Sequence, residues 1–124
     1  MHRKAEAKTV LRSVVPYPAV FVPNQYGGYD VYFPNFPISG LTGLNFNLAL
    51  KAAQEELTQL LYADLKQGRL PPAPSSPDSL EADEELIPGT IAVMIEPDKD
   101  GLLRQLGMQK KRLRTSPTGV KYTP

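Results

Sequence analysis

The chain has 124 residues, no cysteine, thirteen prolines and a formal charge of +1. That length supports one domain, and the absence of cysteine excludes disulfides and thiolate metal sites and makes a reducing, cytoplasmic location the expectation. No apolar run approaches the roughly 18 residues of a spanning helix, and Arg12 interrupts Thr9-Val10-Leu11, so the basic start Met1-His2-Arg3-Lys4 leads into no signal-type apolar core.

The small net charge hides an asymmetry. Residues 1–16 carry four bases and one acid, residues 17–98 three bases and eleven acids, and residues 99–124 seven bases and one acid. These are local charges of +3, −8 and +6. An acidic body suits a basic protein partner, and basic ends suit phosphates, although a solvated tail is the commoner explanation for each end alone. The prolines, about twice the average share, cluster around residues 16–37 and 71–88. The expected division is a basic arm over 1–13, a folded body over 14–98 and a basic tail over 99–124. A core drawn from 17–70 and 87–97 holds only about 65 residues, a size that often needs an oligomeric partner. A homodimer or larger assembly is therefore expected.

Residues 1–12 suit a short helix or an arm. Tyr17 to Val22 reads as the first strand, apolar and bounded by Pro16 and Pro23. Pro18 lacks an amide donor, which places the start of this strand near a sheet edge. Asn24-Gln25-Tyr26-Gly27-Gly28 is the turn, with both glycines free to take positive φ. In the second strand, Tyr29, Val31 and Phe33 share the core face, while Asp30 and Tyr32 share the other. Pro34 and Pro37 end the ladder. Ile38 to Gly43 reads as a short third strand.

Asn45 is the predicted N-cap of a helix running from about Phe46 to Gln67. Phe46, Leu50, Ala53, Leu57, Leu60 and Leu61 form its apolar stripe, with Lys51, Glu55, Thr58 and Gln59 mostly away from it. Gly68 fits its C-terminal cap. A Pro-rich loop spans 71–88 and contains an acidic segment, Ser79 to Leu86, suited to a short turn of helix. Thr90 to Ile95 is almost continuously apolar, which predicts an interior strand buried on both faces. Coming after a helix, it is expected to arrive by a right-handed parallel crossover. The predicted fold class is α+β, ordered β-β-β-α-β, with one helix on one face of the sheet. The other face is then left to solvent or to a second subunit.

Tyr17-Pro18-Ala19-Val20-Phe21 followed by Gly27-Gly28-Tyr29-Asp30-Val31-Tyr32-Phe33-Pro34 and Pro37 resembles the signature of the HicB family, the antitoxin halves of bacterial toxin–antitoxin pairs. The resemblance covers roughly residues 17–97. It implies a partial RNase H-like fold, no catalysis, and neutralisation of a small basic HicA-type toxin that cleaves mRNA. Asn35 stands where the family pattern has aspartate, Ile38 where it has glycine, and Gly43-Leu44-Asn45 where it has Gly-Asp-Thr or Gly-Asp-Ser. Family members usually continue into a DNA-binding module. Here Lys99 to Pro124 shows no pattern for one, so the resemblance does not extend to the family's DNA-binding module.

The partner interface is expected on the exposed hairpin face, at Asp30 and Tyr32, and on the acidic residues Asp78, Glu81, Asp83, Glu84 and Glu85. A second reading is a nucleic-acid-binding protein acting through its basic ends, at Lys110, Lys111, Arg112 and Arg114. A third is a two-metal nuclease, which needs converging carboxylates. Asp30, Glu55, Glu56, Glu96 and Asp98 are the candidates, but the strand alternation turns Asp30 away from the helix. His2 is the only histidine and has no partner for a catalytic dyad. Catalytic residues, metal and cofactor are therefore all expected to be absent.

Overall fold

The computed structural model describes residues 11–37, 39–77 and 87–107. Its elements are β1 (Tyr17–Pro23), β2 (Tyr29–Tyr32), β3 (Leu41–Gly43), α1 (Phe46–Leu65), β4 (Ile91–Ile95) and α2 (Lys99–Gln105). The strands form one sheet in the order β3-β2-β1-β4, antiparallel at each pairing. The α+β class and the single main helix agree with the sequence reading.

The helix α1 forms where its signals predict. Asn45 Oδ1 accepts from the Leu48 amide at 2.9 Å, which satisfies one free donor of the first turn. At the other end Gly68 has φ 76. There the Gly68 amide donates to Leu65 O at 3.0 Å and the Arg69 amide to Asp64 O at 2.9 Å, the paired bonds of a Schellman cap. The buried stripe is Ala49, Ala53, Leu57, Leu61 and Leu65. It packs on Tyr17, Ala19 and Phe21 of β1 and on Val31 and Phe33. Each such leucine contributes about 1.5–3 kcal/mol by leaving water. Aromatic rings close both ends of this layer: Phe21, Tyr29 and Phe46 at one, with centroids 5.3–6.2 Å apart, and Tyr17, Phe33 and Phe36 at the other.

The small residues at β2 and β3 let the sheet edge meet α1 closely. A Cβ on Gly43 would lie 2.6 Å from Ala49 Cα, and one on Gly28 would collide with the Gly43 carbonyl oxygen. Only Gly27 of the turn pair has positive φ, at 87. Gly28 is required for lack of space rather than for its dihedral, which corrects the expectation for that residue.

The two long apolar strands exchange the roles expected of them. The strand β4 is an edge, with Ile91 38% and Met94 41% exposed. The central strand is β1, and Tyr17 through Phe21 are all buried. Pro18 and Val20 lie on the side away from α1 and are nonetheless buried within the single chain, so that face is not left bare along β1. Partners for β1 in β2 begin only at Val20, so Tyr17–Ala19 is paired with β4 alone. Pro18 thus sits where one side of its strand carries no ladder, as its missing amide requires.

The parallel crossover is also corrected: β4 runs antiparallel to β1. The reason is the path between α1 and β4. The helix ends near the start of β1, and the Pro-rich segment is fastened there. Tyr17 Oη donates to Pro72 O at 2.6 Å. Asn35 Nδ2 donates to Ala73 O at 3.2 Å and to Ser75 Oγ at 2.8 Å, while Asn35 Oδ1 accepts from the Ser75 amide at 3.1 Å. The chain enters β4 at Ile91, opposite Phe21. Burial, and secondarily the Asp64 carboxylate, push the Tyr17 phenol up from its ordinary value. Ser39 holds the proline turn, its Oγ accepting from the Phe33 amide at 3.0 Å. The expected third strand begins only at Leu41, and Ile38 lies outside the described residues.

The body extends past the expected boundary at residue 98. Leu102 and Leu106, on and just after α2, are buried in the same core. Their packing against α1 also buries Thr58, at 7% exposed, which the helical pattern had placed outside. Thr58 Oγ1 donates to Gln54 O at 2.8 Å and accepts from the Asp98 amide at 2.9 Å.

Candidate functional site

The candidate site lies at the hairpin end of the sheet, on the side away from α1, and Asn24 builds it. The Asn24 amide donates to Gly28 O at 2.9 Å. Its side-chain Oδ1 accepts from the amides of Tyr26 at 3.0 Å and Gly28 at 3.1 Å. This is how an asparagine side chain stands in for backbone in a tight turn. The loop it closes projects Tyr26, which is 82% exposed.

Strand register then aligns Val22, Asp30 and Thr42 across β1, β2 and β3. Asp30 Oδ1 accepts from Asn24 Nδ2 at 3.2 Å and from Thr42 Oγ1 at 3.0 Å. Tyr32, 39% exposed, stands on the same face two residues along β2. The structure therefore places the two expected hairpin residues, Asp30 and Tyr32, on one accessible face. Beside Asp30 is a groove of about 440 Å³ walled by Val22, Pro23, Tyr26 and Ile87.

Among the described residues that line this groove, Asp30 carries the charge. Lys51, Lys66 and Arg69 are the bases of residues 17–98, and all lie on α1 or just beyond its end, in the layer across the sheet. Among the described residues the ion pair is Arg69–Asp64, at 3.2 Å. Among the described residues Asp30 thus has hydrogen-bond donors but no cation.

The carboxylates that a nuclease requires are not brought together. Glu55 and Glu56 belong to α1, across the sheet from Asp30, and Asp98 caps α2 by accepting from the Gly101 amide at 3.1 Å. Among the described residues no group of three or more His, Cys, Asp or Glu is placed to hold a metal ion. No helix of the described residues is long and apolar enough to cross a membrane. The remaining expected interface residues, Asp78, Glu81, Asp83, Glu84 and Glu85, lie outside the described residues, as do Lys110, Lys111, Arg112 and Arg114.

Sequence reasoning missed Asn24, Thr42 and Ile87. Asn24 carried a readable signal, an asparagine opening a Gly-Gly turn. Thr42 and Ile87 carried none, because their place depends on strand register and on the path back from the Pro-rich segment.

No protein-family model matches the chain, and no curated protein matches it. The structure is similar to a chain of a toxin–antitoxin complex from Streptococcus pneumoniae, with a TM-score of 0.59 and 23% identity over 84% of this chain and 80% of that one. It is also similar to the antitoxin HicB of Burkholderia pseudomallei, with a TM-score of 0.62 and 20% identity over 85% of this chain and 75% of that one. The chain has a HicB-like fold. In this HicB-like fold one of the two glycines that carried the resemblance, Gly28, has a packing duty, whereas a Cβ on Gly27 would meet open space. Gly28 and Gly43 admit a close approach. Asn35, one of the departures from the family pattern, uses its amide to hold residues 73 and 75.

Proposed function

We propose that the chain is a HicB-like antitoxin: a cytoplasmic binding module that covers the active surface of a basic, mRNA-cleaving toxin of the HicA type and has no catalysis of its own. The observation that carries this reading is the likeness of its fold to the Streptococcus and Burkholderia toxin–antitoxin structures. The acidic balance of residues 17–98, three bases against eleven acids, supports a basic partner. The proposed contact residues are Asp30 and Tyr32, together with Asp78, Glu81, Asp83, Glu84 and Glu85 of the acidic segment. Assembly as a homodimer or larger oligomer is part of the proposal.

The test is co-expression with a small basic toxin-like protein from a neighbouring reading frame. That protein alone should arrest growth, and this chain should restore growth and co-purify with it. Continued arrest without co-purification overturns the reading.

A further inference from the structure

The groove at the hairpin end combines apolar walls with a single charge. Among the described residues Val22, Pro23, Tyr26 and Ile87 line it, and Asp30 is the charged lining group. The carboxylate is fixed in advance. Asn24 and Thr42 both donate to Oδ1, so Oδ2 has no partner among the described residues. A fixed acceptor gives up little freedom on binding.

This combination matches one kind of side chain. Lysine and arginine carry an apolar stem and a cationic head. The stem fits Val22, Pro23 and Ile87, and the head meets Oδ2 in a charge-assisted bond. The exposed Tyr26 ring offers a face to the same cation. An acidic side chain or a phosphate would instead meet Asp30 with no base among the described lining residues, which disfavours nucleic acid in this groove. We infer that this groove docks one lysine or arginine side chain of a basic protein partner, and that Asp30 is the residue that selects it. That the partner is the toxin rests on the antitoxin reading above.

The experiment has two arms, each run with the full chain. In the first, titration calorimetry measures toxin binding to the wild type, Asp30→Asn, Asp30→Lys and Glu55→Gln. Asp30→Asn keeps an oxygen for Asn24 and Thr42, removes the charge and turns the Oδ2 acceptor into an amide donor. Binding should weaken about tenfold in Asp30→Asn and about a hundredfold in Asp30→Lys. Glu55→Gln removes an equal charge from the opposite layer and should change affinity by less than about twofold. In the second arm, the blocked tripeptides Ala-Arg-Ala and Ala-Lys-Ala are titrated against the labelled chain. Amide shifts should concentrate at Tyr26, Asp30 and Thr42 and vanish in Asp30→Asn, with the larger response naming the preferred head group. Toxin binding that is equal in the wild type and Asp30→Asn overturns the groove inference and leaves the antitoxin reading standing. No toxin binding, with peptide shifts confined to the groove, overturns the antitoxin reading and leaves the groove. Peptide shifts scattered over the surface and unchanged in Asp30→Asn overturn the groove.

Discussion

Each end of the sheet is organised by one asparagine, and the two act over different ranges. Asn24 bonds within its own hairpin, reaching no further than Asp30. Asn35 reaches across 38 to 40 residues to hold Ala73 and Ser75. The near one shapes a surface presented to solvent, and the far one sets the route of the backbone. They also demand different chemistry. The turn amides around Asn24 need an acceptor oxygen, which aspartate also supplies, but an aspartate would lose the one donor to Asp30 and set two carboxylates together. The far asparagine donates twice and accepts once, and an aspartate there would keep the acceptor and lose both donors.

The largest expected effect tests how rigid the hairpin end is. Gly43→Ala puts a methyl against the Ala49 backbone, where no flexible side chain can yield. It should cost about 3 kcal/mol, read as a shift in the urea midpoint. An unchanged midpoint would show that β3 moves freely away from α1. Next come the two asparagines. Asn35→Ala should cost about 1–2 kcal/mol and Asn35→Asp about half as much, with Asn24→Ala near 1 kcal/mol. Limited proteolysis separates them. Loss of the Asn35 side chain should speed cleavage between residues 69 and 77, whereas Asn24→Ala should leave that segment as resistant as before. Equal cleavage in both would erase the distinction between the two ends.

The smallest effect is a pH dependence at the far end. The folded state holds the Tyr17 proton more tightly than the unfolded chain does, because burial and then Asp64 raise its pKa. Its stabilising contribution is complete below the ordinary tyrosine value of about 10. It is lost as the pH rises through the folded pKa. Tyr17→Phe lacks the bond to Pro72, worth about 0.5–1.5 kcal/mol. The mutant should melt below the wild type at pH 8, and the gap should close above pH ~10. A gap that stays constant to pH 11 would show that the phenol does not titrate with unfolding.

Local signals were legible wherever one residue and its near neighbours decide the outcome. Asn45 and Gly68 bounded α1, and the alternation of Tyr29, Val31 and Phe33 with Asp30 and Tyr32 assigned the two faces of β2. Rank within the sheet was not legible. Tyr17–Val22 and Ile91–Ile95 are both continuous apolar runs, and nothing in either says which will have two neighbours. Pro18 argued for an open side and found one, yet its strand is central, because β2 stops short of it. Thr58 looked solvent-facing because the helical pattern contains no term for α2. Half of the candidate site followed from strand alternation. Asn24, Thr42 and Ile87 joined Asp30 only through pairing and chain path.

The antiparallel docking of β4 also orders events in time. Its residues pair with β1 partners 70 to 78 positions earlier in the chain. At about 5–20 residues per second, β1 leaves the ribosome roughly 4–16 s before the strand that flanks it. Its hairpin neighbour follows almost at once, so the nascent protein carries a half-built sheet whose most apolar strand is open along one side. Closing so long a loop is also the slow step for a refolding chain. The last strand to be made is therefore the one that turns β1 from an edge into the centre of the sheet.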